Sequence, residues 1–269
     1  RALQTVRCLN SNGGQFSYRR SVFSLSVGGT LVRDTDMLFV GDGEASCRPL
    51  REGRALVERV ARQLQWARRT ARASTGEMPV LFTPLGVASA LVGPLTLAFS
   101  GRLVYQGQSP LTGKLGERLY DSRLTLWDDP TRPYRPASRA ADDEGVASRR
   151  LPLIQGGVVS TFLYDLQTAG LASAQPTGSG SRGPGGVVSI SPSCLVFEEG
   201  VDGLEDLIGG IKEGLVVEQL MGAGQGNVLG GDFSGNVLLG YKIENGEVVG
   251  RVKDTVVAGN VHAALGGAL

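Results

Sequence analysis

The sequence predicts an α+β protein: a large, curved, mostly antiparallel β-region with a few packing helices. Three observations carry that expectation. Forty glycines and 12 prolines among 269 residues, with aromatics at only 6%, point to many tight turns between strands. Leu56, Val57, Val60, Ala61, Leu64 and Ala67 recur at helical spacing, with Arg54, Glu58, Arg62, Arg68 and Arg69 largely opposite. Near the C-terminus, Asn245-Gly246 separates two alternating runs, which is a strong hairpin signal.

In chain order, residues 14–32 alternate loosely through Phe16, Tyr18, Val22, Phe23, Leu25 and Val27 and read as strands. Met37–Val40 follows and runs into Gly41-Asp42-Gly43, read as a turn. The amphipathic helix comes next and is expected to end near Ala73, its arginines forming a solvated face. Ser74-Thr75-Gly76 reads as a linker, giving a boundary between residues 1–74 and 75–269. Met78–Gly101 carries no charge and is long enough to span a bilayer, but Pro79, Pro84 and Pro94 interrupt it. A buried strand, Pro79–Thr83, and a buried helix explain it better. Thr83 serves as N-cap, Pro84 takes the first helical position, and Pro94 is expected to kink the helix.

The stretch from Tyr105 to Ala147 is loop-rich. Arg149–Gln155 and Val158–Tyr164 form an expected hairpin at Gly156-Gly157, and Gln175–Gly186 reads as a mobile loop. Val201–Gly214 is expected to be a short helix, capped by Asp202 with Glu205 three residues on and ended by Gly214. Leu215–Ala258 is glycine-punctuated β structure, with Asn236–Ile243 and Glu247–Val252 as the hairpin arms.

Composition narrows function mainly by exclusion. Lys plus Arg (27) nearly cancels Asp plus Glu (26), so no global field favours nucleic acid or an acidic membrane. Cys8, Cys47 and Cys194 are far apart and form no CxxC pair, which argues against a zinc ribbon or disulfide framework and favours a reducing cytoplasm. No leader is visible, and a start at Arg1 in mid-pattern suggests that a preceding part is missing. Gly178-x-Gly180-x-x-Gly183 matches a dinucleotide-binding string, but no strand leads into it and Pro184 follows where a helix should begin. Gly222-x-Gly224-x-Gly226 lacks the spacing and ending of a P-loop. Asp142-Asp143-Glu144 reads as a charged turn rather than a cation site. His262 is the single histidine and reads as a surface or interface residue. A lone histidine supports neither a catalytic triad nor a two-histidine metal site, and buried structural thiols are the expected state of Cys47 and Cys194.

Specific runs then point further. Gly214-Leu-Val-Val-Glu-Gln-Leu-Met-Gly222, Gly230-Gly-Asp-Phe-Ser-Gly235, Gly240-Tyr-Lys-Ile-Glu-Asn-Gly-Glu247 and Val257-Ala-Gly-Asn260 closely resemble the C-terminal domain of the TldD/PmbA family, often labelled modulators of DNA gyrase. Asp142-Asp-Glu-Gly145, Gly157–Tyr164 with Asp165, and Pro176-Thr-Gly178 fit in the same order. The strands before the amphipathic helix, with Asn10-Ser-Asn-Gly13, look like the tail of the family's N-terminal domain. The resemblance implies a barrel-like C-terminal β-region preceded by the end of an α/β N-terminal domain. It also implies two kinds of member: TldD-type subunits resembling zinc peptidases with an HExxxH helix and a late cysteine ligand, and PmbA-type subunits without them. Here the corresponding helix, Leu85–Phe99, holds no His, Glu, Asp or Cys, and no cysteine follows Cys194. Catalytic residues, metal ligands and cofactor therefore transfer to no position.

The expected function is that of a PmbA-like, non-catalytic subunit of a metalloprotease complex acting on unfolded or modified peptides. It would form a homodimer or pair with a TldD-type zinc subunit, with no direct nucleic acid and no membrane as partner. Gly222, Gly224, Gly230, Asp232, Phe233 and Ser234 are candidates for peptide or interface contacts, since glycine-rich edges admit strand addition. Simple turn-making explains the same stretch equally well. The alternative function is a gyrase-modulator type of interaction protein with no peptidase role.

Overall fold

The computed structural model describes residues 2–267 apart from 10, 12, 35 and 184. Asn10, Asn12 and Pro184, used in the sequence reading, lie outside the described residues. The chain opens with strands β1 (Ala2–Leu9), β2 (Gln15–Arg33) and β3 (Asp36–Ser46), which form an antiparallel three-stranded sheet in the order β1-β2-β3. Gly41 and Gly43 lie inside β3 rather than in a turn. Gly41 faces Gly28 across the ladder, and a Cβ there would meet the Val27 carbonyl oxygen at 3.3 Å, so the glycine permits close backbone approach.

Helix α1 (Arg54–Trp66) follows, burying Leu56, Val60 and Gln63. It stops short of Ala73 because Thr70–Ala71 becomes strand β4, parallel to Arg251 and Val252. Strand β5 (Val80–Phe82) leads to α2 (Pro84–Ala90), where the Thr83 hydroxyl caps the Gly86 N–H as the sequence predicts. The expected single helix is two, with α3 (Val92–Ala98) starting after Leu91. The break precedes Pro94 because proline cannot donate to the carbonyl of Ala90, and α4 (Gly101–Tyr105) closes the run. None of the described helices is long and apolar enough to cross a membrane.

Next come β6 (Leu126–Asp128), β7 (Leu151–Gln155), β8 (Val158–Val159) and α5 (Leu166–Leu171). The Gly156-Gly157 hairpin is present, both glycines at positive φ, but its second arm ends at Val159 rather than Tyr164. The segment expected as a mobile loop contains β9 (Gly180–Arg182), which pairs with β10 (Val188–Ile190), while Thr177 and Ser179 are buried. Strand β11 (Leu195–Phe197) joins β6, β7 and β8 in a four-stranded sheet.

Helix α6 covers Leu204–Gly209 only. Its start lies at Gly203, whose N–H donates to Asp206 at 3.1 Å, one residue beyond the predicted Asp202/Glu205 pair. Gly214 does not end it but belongs to β12 (Glu213–Met221). Strands β13 (Asp232–Glu244), β14 (Glu247–Val252) and β15 (Val256–Asn260) then lead to α7 (Val261–Gly266). The Asn245-Gly246 turn has both residues at positive φ (51° and 82°), as a primed hairpin turn requires.

The large sheet runs β4-β14-β13-β12-β5, with β15 beside the first half of β13. It is mostly antiparallel, with parallel pairs only at the β4 and β5 ends. No closed barrel forms among the described residues: these two- and three-residue strands end the hydrogen-bonding path without pairing to each other. Register shifts in β12 and β14 bend the sheet without closing it. The α+β class itself stands. Along β12, Leu215 and Val217 join one apolar core and Val216 the other, so this strand is buried on both faces. Phe99, Leu126 and Ile154 belong to the first core, and α1, β3 and Tyr241 to the second.

Candidate functional site

The candidate site lies where the loop after β12 crosses the α2–α3 pair. Residues 84–99 provide only Pro, Leu, Gly, Val, Ala, Ser, Thr and Phe, none of which is a zinc-binding imidazole, carboxylate or thiolate. Among the described residues no group of three or more His, Cys, Asp or Glu is placed to hold a metal ion. The residues present therefore do not fit the zinc centre that the family resemblance implies for TldD-type members.

Helix α3 packs against the short 3₁₀ turn Val228–Gly230. The loop is internally organised: Asn227 accepts from the Gly230 and Asp232 N–H groups, and Gly231 donates to Val228. Gly222, Gly226 and Gly231 all sit at positive φ, which favours glycine. Gly224 through Asn227 are exposed.

The six sequence-predicted residues separate into different environments. Asp232 and Ser234 are exposed, whereas Phe233 is a core residue, 5% exposed, with its ring edge-on to Phe82 at 5.9 Å. Asp232, Phe233 and Ser234 already pair with Asn260, Gly259 and Ala258 of β15, so that edge of β13 is occupied. Gly222, Gly224 and Gly230 lie on the loop itself.

His262, expected as a surface or interface residue, is half-buried in this region at the start of α7. Its Nδ1 lies 2.9 Å from the Tyr120 hydroxyl, and its Nε2 is buried with no hydrogen-bond partner among the described residues. Asn260 caps α7 by accepting from the His262 and Ala263 N–H groups, and its amide donates to Gly230 O and Asp232 Oδ1, each at 2.8 Å. A Cβ on Gly231 would reach His262 Cδ2 at 2.5 Å, so ring and loop are in close contact. Sequence reasoning missed this assembly because Tyr120 and His262 are 142 residues apart. Asn-Val-His at the start of a helix was the only local signal.

Burial lowers the His262 pKa from its ordinary value, since the charged ring would lose hydration without gaining a counter-ion. A histidine whose folded pKa is depressed adds stability fully above the unfolded value, about 6.5, and loses it as pH falls below that toward the folded value. Wild-type protein should therefore lose more stability than His262→Gln between pH 7 and pH 5, as read by urea midpoints. Parallel curves for the two would refute this assignment.

Other candidates resolve into structure. Asp142 is fully buried and Asp143 and Glu144 hold neighbouring segments, so the acidic turn is a clamp. Cys47 and Cys194 are both half-exposed rather than buried, and burial with the nearby Asp128 carboxylate raises the Cys194 thiol. The Gly178–Gly183 string opens no helix.

With this geometry, comparison with known proteins is informative. The profile of the PmbA/TldA metallopeptidase C-terminal domain matches residues 75–268. TldE from Thermococcus kodakarensis superposes with a TM-score of 0.87 at 31% identity, covering 98% of this chain and 60% of that one. A Thermotoga maritima structure carrying a DNA gyrase modulator designation gives 0.84 at 27%, with the same coverage of 98% and 60%. Metalloprotease PmbA of Escherichia coli O157:H7 is 31% identical over 190 residues, 70% of this chain and 39% of that protein. These matches define a metalloprotease-related α+β protein. The chain belongs to the PmbA/TldD family, and it spans 60% of the length of the two solved relatives.

Proposed function

We propose that this chain is a PmbA-type, non-catalytic subunit that pairs with a TldD-type zinc subunit acting on unfolded or modified peptides. One observation supports this most: the α2–α3 pair, in the position that the resemblance assigns to the HExxxH helix, carries apolar and small residues throughout. Zinc-assisted hydrolysis needs imidazole or carboxylate ligands and a general base, and this helix pair supplies none. The chemistry then belongs to the partner. This chain contributes walls and main-chain hydrogen bonding, with the exposed Gly224–Gly226 stretch as the contact for an extended peptide.

The test is to co-express the chain with an HExxxH homologue, resolve the mixture by size exclusion and assay cleavage of casein. Co-elution, with cleavage that depends on the partner's histidines, is the expected result. Failure to associate or to alter cleavage would overturn the subunit reading, as would stoichiometric zinc bound by this chain alone. The Thermotoga maritima designation supports a second reading, an interaction protein without a peptidase role. Association with gyrase but not with the zinc subunit would select it.

A further inference from the structure

A cavity of ≈ 460 Å³ lies on the opposite side of β12 from the first core, between α1, the start of α2 and α6. Its volume falls within the range of small-molecule sites. Leu81, Leu85, Leu204 and Leu207 form its apolar walls. Gln63 and Glu218 form the polar part, at only 4% and 7% exposure.

The polar part is unbalanced. Thr83 Oγ1 donates to Glu218 Oε2 at 2.9 Å, and the Gln63 amide also hydrogen-bonds to that carboxyl. Gln63 Oε1 is left buried with no hydrogen-bond partner among the described residues. Native interiors rarely leave such an acceptor unmatched. The two guanidinium groups at the rim have other partners: Arg59 pairs with Asp42, and Arg62 with Glu205 at 2.9 Å. No ion pair reaches Glu218 among the described residues, and burial raises its carboxyl above the ordinary value in spite of the donated hydrogen bonds.

We infer that this cavity binds a primary ammonium carried on a small apolar body. The ammonium supplies three donors and a positive charge, which match Gln63 Oε1 and the Glu218 carboxylate, while the leucine walls take the apolar part. A free amine and the unblocked N-terminus of a peptide beginning with an apolar residue share this chemistry. The inference is independent of the subunit reading, because the cavity is formed within this one chain.

Calorimetric titration of the chain with leucinamide, 3-methylbutylamine, Leu-Leu amide and N-acetyl-leucinamide tests it. The unblocked amines should bind, and acetylation should weaken leucinamide at least about tenfold by removing the charged hydrogen bonds. Glu218→Gln, which keeps an acceptor for Thr83, should weaken leucinamide by a similar factor. Leu85→Lys, at an exposed position on the rim, should do the same by placing a cation at the mouth. Binding of Leu-Leu amide would identify peptide ends as a source, and its failure beside bound 3-methylbutylamine would restrict the site to small amines. Equal affinity for acetylated and free leucinamide would overturn the inference. So would the absence of any binding at millimolar ligand by protein with a native circular dichroism spectrum.

Discussion

Replacing Asp142 with alanine is expected to destabilise the chain by about 2–4 kcal/mol, because one buried and two part-buried amide donors would lose their acceptor, at up to about 1–3 kcal/mol each. Asp142 is fully buried. Its Oδ1 accepts from the Glu144 and Val146 N–H groups at 3.0 and 2.9 Å, and its Oδ2 accepts from Gly180 at 2.8 Å. The acidic turn is thereby closed on itself and tied to β9. Glu144 extends the tie by accepting from Leu166 at the start of α5, and Asp143 accepts from Arg182. Asp142→Asn separates the acceptor role from the charge. Its carbonyl oxygen can still serve Glu144 and Val146, but its NH₂ would face the Gly180 N–H donor, so about half the loss is expected. Urea unfolding followed by far-UV circular dichroism measures both. An alanine variant within about 1 kcal/mol of wild type would show that the turn is not the clamp described here.

The clamp illustrates which features were legible in the sequence. The location of the acidic turn was readable, because Asp142-Asp143-Glu144-Gly145 is local turn chemistry. Its burial was not, because the third donor comes from Gly180, 38 residues away. The same division holds elsewhere. Thr83-Pro84 and Asn245-Gly246 were readable because their conformations are set by residues within one turn. The end of α1 was not, since β4 exists only through its pairing with β14. Gly41 and Gly43 were misread because a glycine that makes a turn and one that lets two strands approach look alike in a single sequence.

For the candidate site, the glycine loop was legible and its supports were not. Asn260, His262 and Tyr120 converge only after β15 has paired with β13 and α7 has folded back. Phe233 was read as a contact residue although alternation along β13 turns it into the core. Glu218 stood in plain view as the one acid in Leu-Val-Val-Glu-Gln-Leu, yet nothing local places it beside Thr83 and Gln63.

The second large effect should appear at Gly86, with a sign opposite to that expected from helix propensity. Gly86 lies in the first turn of α2, and replacing a helical glycine with alanine ordinarily stabilises by about 1 kcal/mol. Here a Cβ would lie 2.3 Å from the Val217 carbonyl oxygen and 3.2 Å from the Phe82 ring. That oxygen cannot swing away as a side chain would, because it belongs to β12 and accepts the Thr83 N–H at 3.1 Å. The helix would have to lift from the sheet and stretch the Thr83 cap together with the Thr83–Glu218 hydrogen bond. Overpacking of this kind costs about 1–3 kcal/mol, and contact with a fixed backbone atom puts Gly86→Ala toward the upper end. Gly93→Ala in α3 is the control, since a Cβ there meets nothing within 4 Å and should give the ordinary small gain. A lower urea midpoint for Gly86→Ala beside an unchanged or higher one for Gly93→Ala would establish that α2 is seated directly on the β12 backbone. Stabilisation by both would mean that α2 can move off β12 at little cost, and the Thr83–Glu218 floor of the cavity would then not be rigid.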